Sequence, residues 1–194
     1  MDAQELIDRL GEQARVERFA ADSMLFRRGD TTRFVFGIVQ GHAQLRRYTV
    51  EGAALTVHRA SAGDIFAEAA LFSDVYHCDG EVLTGTHVAQ FPKLALQNLM
   101  QNDQAFAAAF CHHMASQVQR LRSSLELRSI RSAEDRVMAA LSLRLRSGQS
   151  RLELNGTWKD FATEIGLTHE ALYRALKRLQ VGGRLTRSGR VIQM

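Results

Sequence analysis

Residues 157–190 read TWKDFATEIGLTHEALYRALKRLQVGGRLTRSGR, and this stretch decides the fold of the C-terminal part. It spells a helix, a tight turn, a second helix and a short basic hairpin. Trp158, Phe161, Ala162 and Ile165 recur at helical spacing. Gly166-Leu167-Thr168 then breaks the helix, with the Thr168 hydroxyl placed to cap the next one. In that second helix Leu172, Ala175, Leu176 and Leu179 share one face and can pack inward. Glu170, Arg174 and Lys177 fall at i, i+4 and i+7 on another face, with His169 and Tyr173 beside them. Such a face suits a helix lying in a DNA major groove. Arginine donates a fork of hydrogen bonds to guanine, and glutamate accepts one from the cytosine amino group. An ordinary helical hairpin with a solvated charged face is the competing reading. The turn, the inward stripe and the basic hairpin together favour the groove reader. Its base-reading candidates are His169, Glu170, Tyr173 and Arg174. Its phosphate-contacting candidates are Thr168, Lys177, Arg184, Arg187 and Arg190.

The charge distribution agrees. The chain of 194 residues has a net charge of +4, yet residues 1–118 carry 10 Lys and Arg against 14 Asp and Glu, a balance of −4. Residues 119–194 carry 15 against 7, a balance of +8. A basic C-terminal part on an acidic N-terminal part fits a nucleic-acid reader attached to another function. No apolar run is long enough to span a bilayer, so no membrane partner is expected. The acidic, amphipathic start MDAQELIDRLGEQ has no cationic lead or apolar signal segment, which places the protein in the cytoplasm by expectation. Only Cys78 and Cys111 are present, which excludes a disulfide framework and a four-cysteine cluster within one chain.

Residues 23–91 are strand-like. Phe34-Val35-Phe36-Gly37-Ile38-Val39 is apolar and rich in β-branched and aromatic residues. Gly41, Gly52, Gly63 and Gly85 punctuate short runs such as 43–48 and 54–58, the pattern of a small antiparallel sandwich or β-roll. Pro92, the only proline, is expected in the first turn of a helix. Gln104–Ser129 then reads as one long helix without Gly or Pro. Phe106, Phe110, Met114, Val118, Leu121 and Leu125 recur every three or four residues along it. The stripe fits a two-helix seam between identical subunits, or packing on its own domain, and a helix this long can do both. Residues 132–146 read as a further helix and 147–150 as a loop.

With those residues in view, the chain resembles the CRP/FNR superfamily of bacterial transcription regulators over nearly its whole length. Leu25-Phe26-Arg27-Arg28-Gly29-Asp30 is similar to that family's approach to its β-roll, and Val39-Gln40-Gly41-His42-Ala43 to its glycine turn. Gly63-Asp64-Ile65-Phe66-Ala67-Glu68-Ala69-Ala70-Leu71-Phe72 resembles its phosphate-binding cassette. The resemblance implies an α+β fold. An antiparallel β-roll, or double-stranded β-helix, would occupy 1–103 as the effector-sensing domain. A dimerisation helix would occupy 104–130, and a winged helix-turn-helix 131–194. It also implies a homodimer on a palindromic double-stranded site whose half-sites contain a GA step, with RNA polymerase as a further partner. In that comparison His169, Glu170 and Arg174 occupy base-reading positions.

One departure bears on the effector. Cyclic-nucleotide binders place an arginine on the cyclic phosphate, and here Cys78 stands at that position, followed by Asp79. A thiol cannot supply a bidentate, permanently charged contact, and the carboxylate repels an anion. Glu68, which in such binders holds the ribose hydroxyl, is retained. Cyclic AMP is therefore disfavoured, and the pocket candidates are Glu68, His77, Cys78 and Asp79. His77, Cys78, Cys111, His112 and His113 offer donors for zinc, copper(I) or haem iron, so a metal or haem effector is open, as is redox sensing by the two thiols. The same residues also read as small packed cysteines and surface or capping histidines. A constitutive DNA-binding regulator with a vestigial pocket is the alternative function, and a cupin-like metalloenzyme a remote one. His42, His58 and His87 stand singly, without the His-x-His pair that such enzymes use, so no enzymatic activity is expected.

Overall fold

The structure is a computed structural model that describes residues 1–145, 149–154 and 157–194. It forms two compact units, Met1–His113 and Met114–Met194, whose boundary falls inside one helix.

The first unit begins with α1, Ala3–Leu10, whose N-terminus is capped by Asp2 accepting from the Glu5 amide at 2.9 Å. Strands follow as β1 Arg15–Phe19, β2 Met24–Phe26, β3 Phe34–Gln40, β4 His42–Tyr48, β5 Ala54–Ser61, β6 Ile65–Phe66, β7 Asp79–Val82 and β8 Thr86–Pro92. They make two antiparallel sheets in the orders β1-β8-β3-β6 and β2-β7-β4-β5. Phe26, Phe36, Ile38, Ala43, Phe66 and Val88 from both sheets join one core, which makes the pair a roll. The apolar run in β3 has Val35 to Ile38 all buried, because the opposite face is covered as well. A Cβ on Gly37 would stand 2.7 Å from the Cβ of Ala3 in α1. The β3–β4 turn needs Gly41, which has φ 93° and whose missing Cβ would lie 2.4 Å from Thr86 Oγ1. Pro92 departs from expectation: it ends β8 and is the N-cap of α2, Lys93–Asn102, so it lies before the first helical turn. Its carbonyl end can still pair in the sheet while its missing N–H is no loss there.

Helix α3 is Gln104–Ser129, as the sequence indicates. Its apolar stripe divides. Phe106 and Phe110 are buried in the first unit, whereas Val118, Leu121 and Leu125 are 43%, 63% and 67% exposed.

The second unit continues with α4 Ala133–Ser142, β9 Arg151–Glu153, α5 Trp158–Glu164, α6 His169–Val181, β10 Thr186–Ser188 and β11 Val191–Gln193. Its core takes Val137 and Leu141 from α4, Trp158, Phe161 and Ile165 around α5, Leu172, Leu176 and Leu179 from α6, and Ile192 from β11. Leu127 of α3 belongs to the same core. Helix α4 ends earlier than the apolar spacing suggests. Arg144 folds back to donate to the Ala140 carbonyl at 2.8 Å and lies 4.8 Å from the centroid of the Phe161 ring. That closes the helix end before Leu145; Arg146, Ser147 and Gly148 lie outside the described residues. The basic hairpin is one part of a three-stranded wing in the order β10-β11-β9, the third strand coming from a segment next to the anticipated loop. The architecture is thus the α+β arrangement anticipated: antiparallel roll, long helix and winged helix-turn-helix.

Candidate nucleic-acid interface and sensory pocket

The turn between α5 and α6 fixes how the outer face of α6 is presented. Thr157 and Asp160 form a reciprocal capping box at the start of α5. At its end the Leu167 amide donates to Ala162 O at 2.8 Å and the Gly166 amide to Thr163 O at 3.1 Å. This is a Schellman closure around Gly166, whose φ of 68° a side chain would strain. Thr168 then caps α6, its hydroxyl accepting from the Ala171 amide at 3.1 Å. The hydroxyl proton stays available to donate outward.

Leu172, Ala175, Leu176 and Leu179 are buried, which turns His169, Glu170, Tyr173, Arg174 and Lys177 outward, and all five are exposed. Glu170, Arg174 and Lys177 make no hydrogen bond or ion pair with the described residues. The His169 and Tyr173 rings stand 4.5 Å apart. Neighbouring basic residues are treated differently. Arg178 pairs with Glu134 at 3.1 Å, Arg184 with Asp135 at 3.6 Å and Arg190 with Glu153 at 3.8 Å. Arg187 has no carboxylate partner among the described residues; its guanidinium lies 5.2 Å from the Trp158 ring centroid and 5.0 Å from that of Tyr173. It is held between two aromatic faces with its charge intact and its edge open. Trp158 is itself fixed to the wing, donating Nε1–H to Gly189 O at 3.1 Å.

The sensory candidates are arranged otherwise. Glu68 opens a 3-10 turn, Glu68–Phe72, that follows Ala67 at φ 61°. Its Oε1 accepts from His113 Nε2 at 2.9 Å, with side chains only 14% and 11% exposed. Asp79 Oδ1 accepts from the Arg28 amide at 2.7 Å. His77 Nε2 lies 3.1 Å from Ser73 Oγ. Cys78 is half-buried, and burial pushes its thiol pKa up; the charge of nearby Arg47 tempers the rise and Asp79 adds to it. A thiol held protonated is a poor metal ligand and a slow redox nucleophile. Cys111 and His112 are exposed on α3. The metal set anticipated from His77, Cys78, Cys111, His112 and His113 is not assembled: among the described residues no three His, Cys, Asp or Glu side chains group so as to hold a metal ion. Helix geometry accounts for part of this, since consecutive residues point about 100° apart, and His113 turns to Glu68.

Three features escape a reading of the sequence. The capping box at Thr157 and Asp160 carries a legible signal, a Thr followed three residues on by an acid. The pairing of Glu134 and Asp135 with Arg178 and Arg184 carries none, because it joins α4 to α6 and to the loop after it. Nor does the role of Arg136, whose guanidinium donates to backbone carbonyls at Ile130 and Gly166.

Residues 16–103 match the family model described as the cyclic nucleotide-binding domain. No curated protein matches the chain in sequence. Solved structures with a similar fold include FixK2 from Bradyrhizobium japonicum, at 21% identity over 93% of this chain and 92% of that one, TM-score 0.68. A CooA mutant from Carboxydothermus hydrogenoformans matches at 18% identity over 100% and 91%, TM-score 0.73. The c-di-GMP responsive global regulator CLP from Xanthomonas campestris matches at 19% identity over 98% and 98%, TM-score 0.62. Residues 16–103 thus match the cyclic nucleotide-binding domain, and over nearly its whole length the chain shares the fold of these solved structures.

Proposed function

We propose that this chain is a sequence-specific transcription regulator that binds double-stranded DNA as a homodimer. Residues 1–103 serve as the sensory roll, 104–130 as the pairing helix and 131–194 as the reading domain. The observation that carries the reading is the outward face of α6. Glu170 and Arg174 stand open beside each other on a capped helix, with hydrogen-bonding groups that base edges in a major groove complete. His169 and Tyr173 flank them. Thr168, Lys177 and Arg187 act on phosphates; Arg184 and Arg190, tied to carboxylates, contribute less. The exposed stripe Val118, Leu121 and Leu125 supports pairing with a second copy, which sets two reading helices on a palindrome. Such a regulator works in the cytoplasm with RNA polymerase as partner; no described helix is long and apolar enough to cross a membrane.

The effector is not cyclic AMP on this reading, since Cys78 offers no fixed cation and Glu68 is engaged by His113. A different effector acts by shifting the population of DNA-competent dimers. The Glu68–His113 bond also favours a second reading, a regulator competent without any effector, because the pocket carboxylate already has a partner from its own chain. Selection from a random duplex pool tests the function. A two-fold symmetric motif with a GA step in each half supports it, and an unstructured or empty result removes it.

A further inference from the structure

Arg136 lies on the inner side of α4 and is only partly exposed. Its guanidinium reaches four backbone carbonyls. Nε and Nη2 donate to Ile130 O at 3.0 and 2.6 Å, and Nη2 also to Arg128 O at 3.3 Å. Nη1 donates to Gly166 O at 3.0 Å and to Ile165 O at 3.4 Å. Arg128 is in the last turn of α3, and Ile165 is the C-cap of α5. One planar cation therefore closes the negative ends of two helices, where carbonyls lack partners within the helix. Only arginine has a fork of donors wide enough to do so.

Other contacts run the same way. Leu127 of α3 is 6% exposed in the reading-domain core. Ser124 Oγ donates to Glu164 O at 3.3 Å. The Arg128 side chain packs on Gly166, with its Cγ 3.0 Å from where a Cβ would be. The segment that joins the long helix to the reader, residues 130–132, is bridged by Arg136 to the turn that sets the direction of α6.

We infer that Arg136 is a positioning residue that locks the C-terminal turns of α3 to the α5–α6 turn, so that the pairing of α3 with its copy dictates the spacing of the two half-sites. This rests on the regulator reading above. In a locked dimer, one added base pair moves the second half-site by about 3.4 Å along the axis and by about a tenth of a helical turn around it. A rigid dimer then loses the gain from engaging both halves, about a hundredfold. A loosened one follows the shift.

The test compares the wild-type protein, Arg136→Gln and Arg136→Lys on the selected palindrome with spacers changed by one and two base pairs. In parallel, trypsin cleavage after Arg128 and Arg131 is timed without DNA. Arg136→Lys keeps a cation but offers one ammonium for four carbonyls, and it stands in if Arg136→Gln does not fold. Expected is about a hundredfold preference for one spacer in the wild type that shrinks to about threefold in the variants. The base preference within each half-site stays intact, and cleavage is about tenfold faster as the joint opens. Variants that weaken on every spacer alike with cleavage unchanged overturn the inference, since Arg136 is then merely a stabilising group. If the wild type prefers no palindrome, the regulator reading fails, and the cleavage rates alone decide whether Arg136 locks the joint.

Discussion

The candidate reading face of α6 and the candidate sensory site of the roll hold their polar side chains in opposite ways. On α6, Glu170, Arg174 and Lys177 are exposed and make no hydrogen bond or ion pair with the described residues, although acids lie close by on α4. Those acids are committed to Arg178 and Arg184 instead. In the roll, Glu68 is bound by His113, Asp79 by the Arg28 amide, and burial pushes the Cys78 thiol pKa up. Hydrogen-bonding capacity is left open on the outer face of α6 and closed within the chain at Glu68 and Asp79. The chain therefore pairs an open helix face, the one proposed to meet DNA, with a roll in which Glu68 and Asp79 are already hydrogen-bonded.

Four experiments break or sharpen this contrast. The largest effect is expected from removing the second reader. Replacing Leu121 and Leu125 together by Glu puts like charges on the exposed stripe of α3. It should yield a folded monomer by sedimentation whose affinity for the palindrome falls about a hundredfold or more, with single half-site binding unchanged. Next comes Arg174→Ala, which removes a base-edge donor. Binding competition across single-base variants should show a loss of about 1–3 kcal/mol confined to one position in each half-site. A loss spread over all sequences would show Arg174 to be an anchor and not a reader.

Arg187→Ala should act more mildly and evenly. Affinity falls alike for all sequences, and the slope of log affinity against log salt drops by about one. Arg184→Ala, which already has Asp135 beside it, should change that slope less. The smallest effect is expected in the roll. If the closed pocket is independent of DNA binding, His113→Ala leaves the affinity for the palindrome within about twofold, less than 0.5 kcal/mol. A change of tenfold would join the two regions and favour a regulated pocket over a vestigial one.

The parts legible in the sequence are those governed by local rules. Gly166 followed by Thr168 announces the turn and cap, the spacing of Leu172, Ala175, Leu176 and Leu179 gives the buried face of α6, and the run around Val35 gives a strand. The order of glycines and the Glu68 cassette gave the roll. What stayed hidden depends on residues far apart in the chain. Strand β9 is three residues long and counts only through its partner β11. The splitting of the α3 stripe into a buried and an exposed half reflects what each half meets, and its spacing is the same throughout. Likewise His113 reads as one of several candidate metal donors, whereas the fold turns it to Glu68. The Trp158–Arg187–Tyr173 stack joins three elements and leaves no trace in any one of them.

The central claim is that the open face of α6 reads DNA sequence. It is tested most directly by the affinity of the metal-free, reduced protein for its selected palindrome against a scrambled duplex, at one fixed salt concentration near physiological. The account predicts a preference of about a thousandfold or more. Adding cyclic AMP should leave that preference unchanged. A preference of a few-fold at most, persisting when other effectors are added, would mean that Glu170 and Arg174 are solvated surface charges, and the account would be wrong at its centre.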